Sequence, residues 1–102
     1  MPSVLLATTS LVVAMSLLLG SGCDTGGSHQ VRGQVVEAVP RSFSELEVLR
    51  IRDDEGREYE FKTEGFIGFT PSHVREHQLF GQSLLVTYEK RGDLLIALKL
   101  ED

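Results

Sequence analysis

From Gln30 to Asp102 apolar and polar side chains mostly alternate, the two-residue period of half-buried strands, and turn-forming residues cut the stretch into short segments. Five strands are predicted. The first, QVRGQVVEAV, carries Val31, Gly33 and Val35 in one phase and Val36 and Ala38 in the other, as a bulged strand serving two sheets would. Pro40 helps to end it. After PRSFSE come LEVLRIRD, the tight turn DDEG and REYEFK, in which Tyr59 and Phe61 face one way and Glu58, Glu60 and Lys62 the other. This is a hairpin. A second hairpin follows around KRGD: SLLVTYE places Leu84, Val86 and Tyr88 on one face, and the fifth strand is expected to place Leu94, Ile96, Leu98 and Leu100 on one face.

Between the hairpins lies GFIGFTPSHVREH, where Thr70 can cap a helix, Pro71 suits its first turn and Gly81 is placed to end it after Phe80. On a helical wheel His73, His77 and Phe80 fall within about a sixth of a turn, the face expected to lie across the barrel end. Phe66, Ile67 and Phe69 are too apolar for a solvent loop and are expected to plug the barrel beneath the helix; the alternative is an exposed loop that touches a partner or lipid. The order strand, strand, strand, helix, strand, strand resembles that of bacterial extracytoplasmic OB-fold proteins across residues 30–102. The resemblance implies a small all-β fold, a five-stranded Greek-key barrel with one short helix between strands three and four. An SH3-like barrel is the rival, and the length of the helix favours the OB-fold.

Residues 1–22 carry no charged side chain, whereas all Lys, Arg, Asp and Glu lie from Asp24 onward. The apolar run ends in small residues, as a secretory signal peptide does. Val4 to Leu19 is short of the roughly 20 residues that cross a bilayer, which disfavours a retained membrane helix. Cys23, the only cysteine, closes LLLGSGC and has no partner for a disulfide. This stretch resembles the lipobox of bacterial lipoproteins. The resemblance implies a signal peptide over residues 1–22, a lipid thioether on Cys23, and anchorage on the extracytoplasmic face of the cell membrane. Asp24, by resemblance to enterobacterial lipoproteins, implies the inner membrane. A secretory leader followed by a free thiol is the alternative. The remainder of residues 23–29 has the Gly/Ser composition of a flexible tether.

The net charge of −5 disfavours a nucleic-acid partner, whose phosphates call for a basic footprint. OB-fold ligands lie across strands two and three, between the loops that join strands one to two and four to five. There the chain offers Arg41, Arg50, Arg52, Tyr59 and Arg91 as candidate ligand-binding residues, with Ser42, Phe43, Arg57 and Lys90 beside them. Such a set suits an anionic glycan, a lipid head group or an acidic patch on an envelope protein. The competing reading is a solvated face paired with neighbouring carboxylates.

His73, Glu76 and His77 match the inverted zinc-peptidase pattern H-x-x-E-H, two imidazoles on one helix side with a general base between them in sequence. A catalytic zinc needs a third protein ligand. The remaining histidine, His29, falls in the tether, and no motif nominates an acidic residue. We therefore assign no catalytic residue, metal ligand or cofactor, and read the histidines as packing residues. An adventitious or regulatory metal site is one alternative, a zinc-dependent hydrolase another. RGD at Arg91–Asp93 is ordinary turn chemistry. The expected function is a non-catalytic binding or accessory module of the cell envelope; a structural subunit working through GFIGF is a further alternative.

Overall fold

The alternation becomes five strands and one helix: β1 (His29–Pro40), β2 (Leu46–Arg52), β3 (Glu58–Lys62), α1 (Pro71–Phe80), β4 (Ser83–Arg91) and β5 (Leu94–Glu101). The computed structural model describes residues 27–102, so the expected signal peptide, Cys23 and the start of the tether lie outside the described residues. The strands close into a barrel in the order β1-β2-β3-β5-β4, with β4 returning to β1. Closure leaves no open sheet edge. Neighbouring strands are antiparallel except β3 and β5, which run parallel where Phe61 faces Leu95 and Lys62 faces Ile96. Among the described residues no helix is long and apolar enough to cross a membrane.

β1 serves both sides of the barrel, as its two-phase pattern predicts. Its first half pairs with β4 and its second with β2, and Gln34 takes part in both ladders, opposite Ser83 and Arg52. A register shift between Val35 and Glu37 leaves Val36 as the extra residue, and the buried phase changes there. Inside, Leu46, Leu49, Ile51, Phe61, Val74, Leu84 and Val86 are fully buried. Tyr88 leans on Phe61 with ring centroids 5.1 Å apart.

β5 departs from the expected single face. Thr87 pairs with Lys99 but Tyr88 pairs with Ala97, so Leu98 is an extra residue in the ladder. One inserted residue exchanges the two faces of a strand. Ala97 and Leu100 accordingly join the core, while Leu94 and Leu98 are 51% and 40% exposed.

The helix begins and ends where its caps predict. The Thr70 hydroxyl accepts from the His73 amide at 3.2 Å, Pro71 occupies the first turn, and Gly81 closes the helix at φ +66°. Of the expected row His77 does point inward, but Pro71 and Val74 join it there and Phe80 is 74% exposed. A row of i, i+3 steps drifts by about 60° per step, so Phe80 stands about half a turn from Pro71. The plug also divides, because Ile67 and Phe69 are buried in the core whereas Phe66 is 59% exposed. The Ile67 carbonyl accepts from the Leu100 amide at 2.8 Å, which ties this segment to β5. Gly68 passes so close that a Cβ there would lie 3.1 Å from the Leu100 carbonyl oxygen, and its φ of +110° favours glycine independently.

Candidate functional site

Three surface features bear the chemistry. The first is the β2–β3 face, where strand register sets like-spaced charges opposite one another. Arg50 faces Glu37 on β1 and Glu60 on β3, and its guanidinium lies 3.3 Å and 3.0 Å from their carboxylates. Arg52 donates to Glu58, directly across the ladder, at 2.6 Å. The Glu60 hydrogen bond and the Glu37 charge raise the Arg50 pKa, and the Arg52 hydrogen bond holds Glu58 below the usual carboxylate range. Tyr59 turns its ring toward the core and donates its hydroxyl to Asp53 at 3.3 Å. Burial pushes the Asp53 pKa up, but amide donation from Arg57 and Glu55, with Tyr59 and the Arg57 charge, carries it below its ordinary value.

Arg91 stands apart from this row. It reaches Glu64 at 2.5 Å and also pairs with Glu89, its neighbour on β4. Arg41 lies beyond the end of β1, donates to the Thr63 carbonyl at 2.8 Å and pairs with Glu45. The structure thus sets Arg50 and Arg52 on the outer face of the β2–β3 ladder and turns Tyr59 to its inner face, opposite Ile51, while Arg41 and Arg91 reach the successive residues Thr63 and Glu64 just past the end of β3. Every one of these arginines has a carboxylate partner, so an incoming anion would have to displace a resident one.

The second feature is a groove of about 580 Å³ between the β1–β2 loop and the start of α1. Pro40, Phe43 and Pro71 form apolar walls; Arg41, paired with Glu45, and Arg75 line the rest. The loop is an ordered turn: the Arg41 and Ser42 amides donate to the Glu45 carbonyl at 2.8 and 3.1 Å, and the Ser42 hydroxyl accepts from the Glu45 amide at 3.1 Å. Phe43 projects from it fully exposed, at 102%. Arg75 makes no ion pair or hydrogen bond among the described residues. The OB-fold resemblance nominates Arg41 and Phe43 through the loop after strand one, but Arg75 and Pro71 join them only because α1 packs beside that loop.

The third feature is the histidine pair. His73 and His77 have ring centroids 5.2 Å apart, and the buried His77 ring sits between Ser83 and Asp102. The acidic residue that no motif nominated is Asp102, which the end of β5 carries to the helix. Potential ligand atoms of His73, His77 and Asp102 all lie within 4.8 Å of one another. His29 is not part of this group and stacks on Tyr88 at 5.4 Å. Glu76 is exposed and unpaired among the described residues. Comparison with protein-family models, with curated proteins and with solved structures finds no match for this chain.

Proposed function

We propose that the chain is a lipid-anchored, extracytoplasmic binding module of OB-fold type, which docks an acidic segment of another envelope protein in the groove between the β1–β2 loop and α1. The barrel order β1-β2-β3-β5-β4 and the helix between β3 and β4 support the OB-fold reading. The observation that carries the binding reading is Phe43, a large aromatic ring held in full solvent exposure by an ordered turn at the rim of a groove. Such a ring has no part in the core. Exposed aromatic and arginine side chains around a pocket are the composition of protein-binding hot spots, which favours a polypeptide over a glycan or lipid head group. Arg75, which makes no ion pair among the described residues, places positive charge at this point of a chain whose net charge is −5, so an acidic segment is the complementary occupant.

The test is a photo-activated cross-linker at position 43 in living cells. A single polypeptide adduct is expected, with the cross-linked peptide acidic in composition. A synthetic copy of that peptide should bind the purified chain, and Phe43→Ala and Arg75→Glu should each weaken binding by about tenfold or more. Absence of a discrete polypeptide adduct, or binding indifferent to both substitutions, overturns the reading.

Anchorage is tested separately on Cys23. Mass spectrometry of the chain from cells is expected to show residues 1–22 removed and a diacylglyceryl group on the Cys23 sulfur. Cys23→Ser should carry no lipid. Each buried methylene of an acyl chain contributes about 0.8 kcal/mol, so two chains hold a small domain durably at a membrane. An unmodified thiol on the wild-type chain would remove the anchor from the proposal.

A further inference from the structure

We propose that His73, His77 and Asp102 form a binding site for a zinc-type divalent cation, which clasps α1 to the end of β5. The argument begins with the orientation of His77. Its side chain is only 6% exposed, and its Nδ1 lies 3.3 Å from the Ser83 carbonyl oxygen. A carbonyl oxygen can only accept, so Nδ1 carries the hydrogen of that bond. In the neutral ring the lone pair then belongs to Nε2, which lies 3.1 Å from Asp102 Oδ1. Two lone-pair atoms at that separation need a positive centre beside them, either a proton or a metal ion.

The surroundings favour the metal. A tetrahedral zinc with bonds of about 2.0–2.2 Å separates adjacent ligand atoms by about 3.3 Å, close to the spacing already present between His77 and Asp102. The third ligand is supplied by His73, whose ring lies parallel to Phe69 with centroids 4.1 Å apart. The backbone carbonyl on the far nitrogen of His77 is also the outer-shell contact that fixes a metal-binding imidazole. Asp102 is positioned likewise: Arg32 donates to its backbone oxygen at 3.2 Å and to the Ser83 hydroxyl at 3.4 Å, leaving the carboxylate oxygens for the ion.

Two imidazoles and one carboxylate suit zinc and its transition-metal neighbours, whereas magnesium and calcium prefer oxygen ligands throughout. The Asp102 side chain is 79% exposed, so the remaining coordination position opens to water. Glu76 lies outside the ligand group, and the site needs no catalytic role to explain it. The proposal does not depend on the groove at Phe43.

The full chain, purified in detergent and stripped with a chelator, is titrated with zinc by calorimetry, with magnesium and calcium as controls. One equivalent of zinc should bind and raise the unfolding temperature, and neither control should do so. Cobalt in place of zinc should give the visible absorption of a tetrahedral or five-coordinate centre with nitrogen ligands. Asp102→Asn and His73→Ala should each weaken zinc binding by about tenfold or more. Both variants are expected to fold, because Asp102 is exposed and alanine favours the helix at position 73; their metal-free unfolding temperatures check this. No saturable zinc binding, or equal affinity in wild type and both variants, overturns the site and leaves the His77–Asp102 contact to a proton.

Discussion

Phe61→Ala is expected to destabilise the barrel by about 3–5 kcal/mol, the usual cost of removing a fully buried phenylalanine. Phe61 has no exposed surface and stands on β3 between Leu49 of β2 and Leu95 of β5. Its ring lies 5.1 Å from Tyr88 and 6.2 Å from Tyr59, so the cavity would open among aromatic rings that cannot collapse into it without shifting strands. The β3–β5 seam pairs over only Phe61–Leu95 and Lys62–Ile96, which leaves few backbone bonds to hold the closure if packing beneath it is lost. Domains of this kind are stable by about 5–15 kcal/mol, so the loss is a large part of the total. Urea unfolding provides the measurement. Phe66→Ala is the internal comparison: the same residue type five positions later, but 59% exposed and expected to change stability by less than about 1 kcal/mol. Equal losses at the two positions would contradict the placement of the core.

The contrast between Phe61 and Phe66 shows what the chain discloses by pattern alone. Phe61 sits in strict alternation with Glu58, Glu60 and Lys62, and alternation is a direct record of which face meets water. The same record located β4 and the phase change in β1. Thr70, Pro71 and Gly81 marked the helix because capping is a local matter of backbone groups and needs no tertiary partner. Phe66 belongs to a stretch without a period, so its exposure depends on where the loop runs relative to β5. The Leu98 bulge was equally hidden, since four leucine or isoleucine residues at alternate positions read as one face whether or not the ladder gains a residue.

The candidate sites divide along the same line. Arg50 and Arg52 alternate on β2 as the pattern requires, but their pairing with Glu37, Glu60 and Glu58 depends on register between three strands. Alternating charges of opposite sign on adjacent strands were visible; which stood opposite which was not. The histidine pair was legible at helical spacing, whereas Asp102 enters through the return of β5 beside α1, a contact between segments far apart in the chain. Arg75 and Pro71 join the loop of Phe43 for the same reason. The groove and the histidine cluster lie where separate elements meet, and periodicity within one element carries no signal for such a meeting.

Gly33→Ala is expected to destabilise the fold by about 1–3 kcal/mol, an overpacking cost, although glycine-to-alanine changes at unstrained open positions usually stabilise. A Cβ at position 33 would lie 2.6 Å from the Arg52 carbonyl oxygen and 2.9 Å from its carbonyl carbon, with the Ile51 side chain at 3.2 Å. Backbone atoms cannot rotate aside as a flexible side chain can, so relief requires β1 and β2 to separate. Position 33 is also where separation matters most, because the next residue, Gln34, belongs to both ladders of β1. A strand crossing from one partner to another must approach the second before leaving the first, and here only a residue without a side chain permits it. Gly27→Ala is the control: nothing lies within 4 Å of its added carbon, and stability should stay within about 0.5 kcal/mol. Hydrogen exchange should localise the effect of Gly33→Ala to amides shared by β1 and β2, with the β4–β5 hairpin less affected. A neutral or stabilising result would mean that the two strands can move apart at little cost, and the crossing would then not depend on the missing side chain.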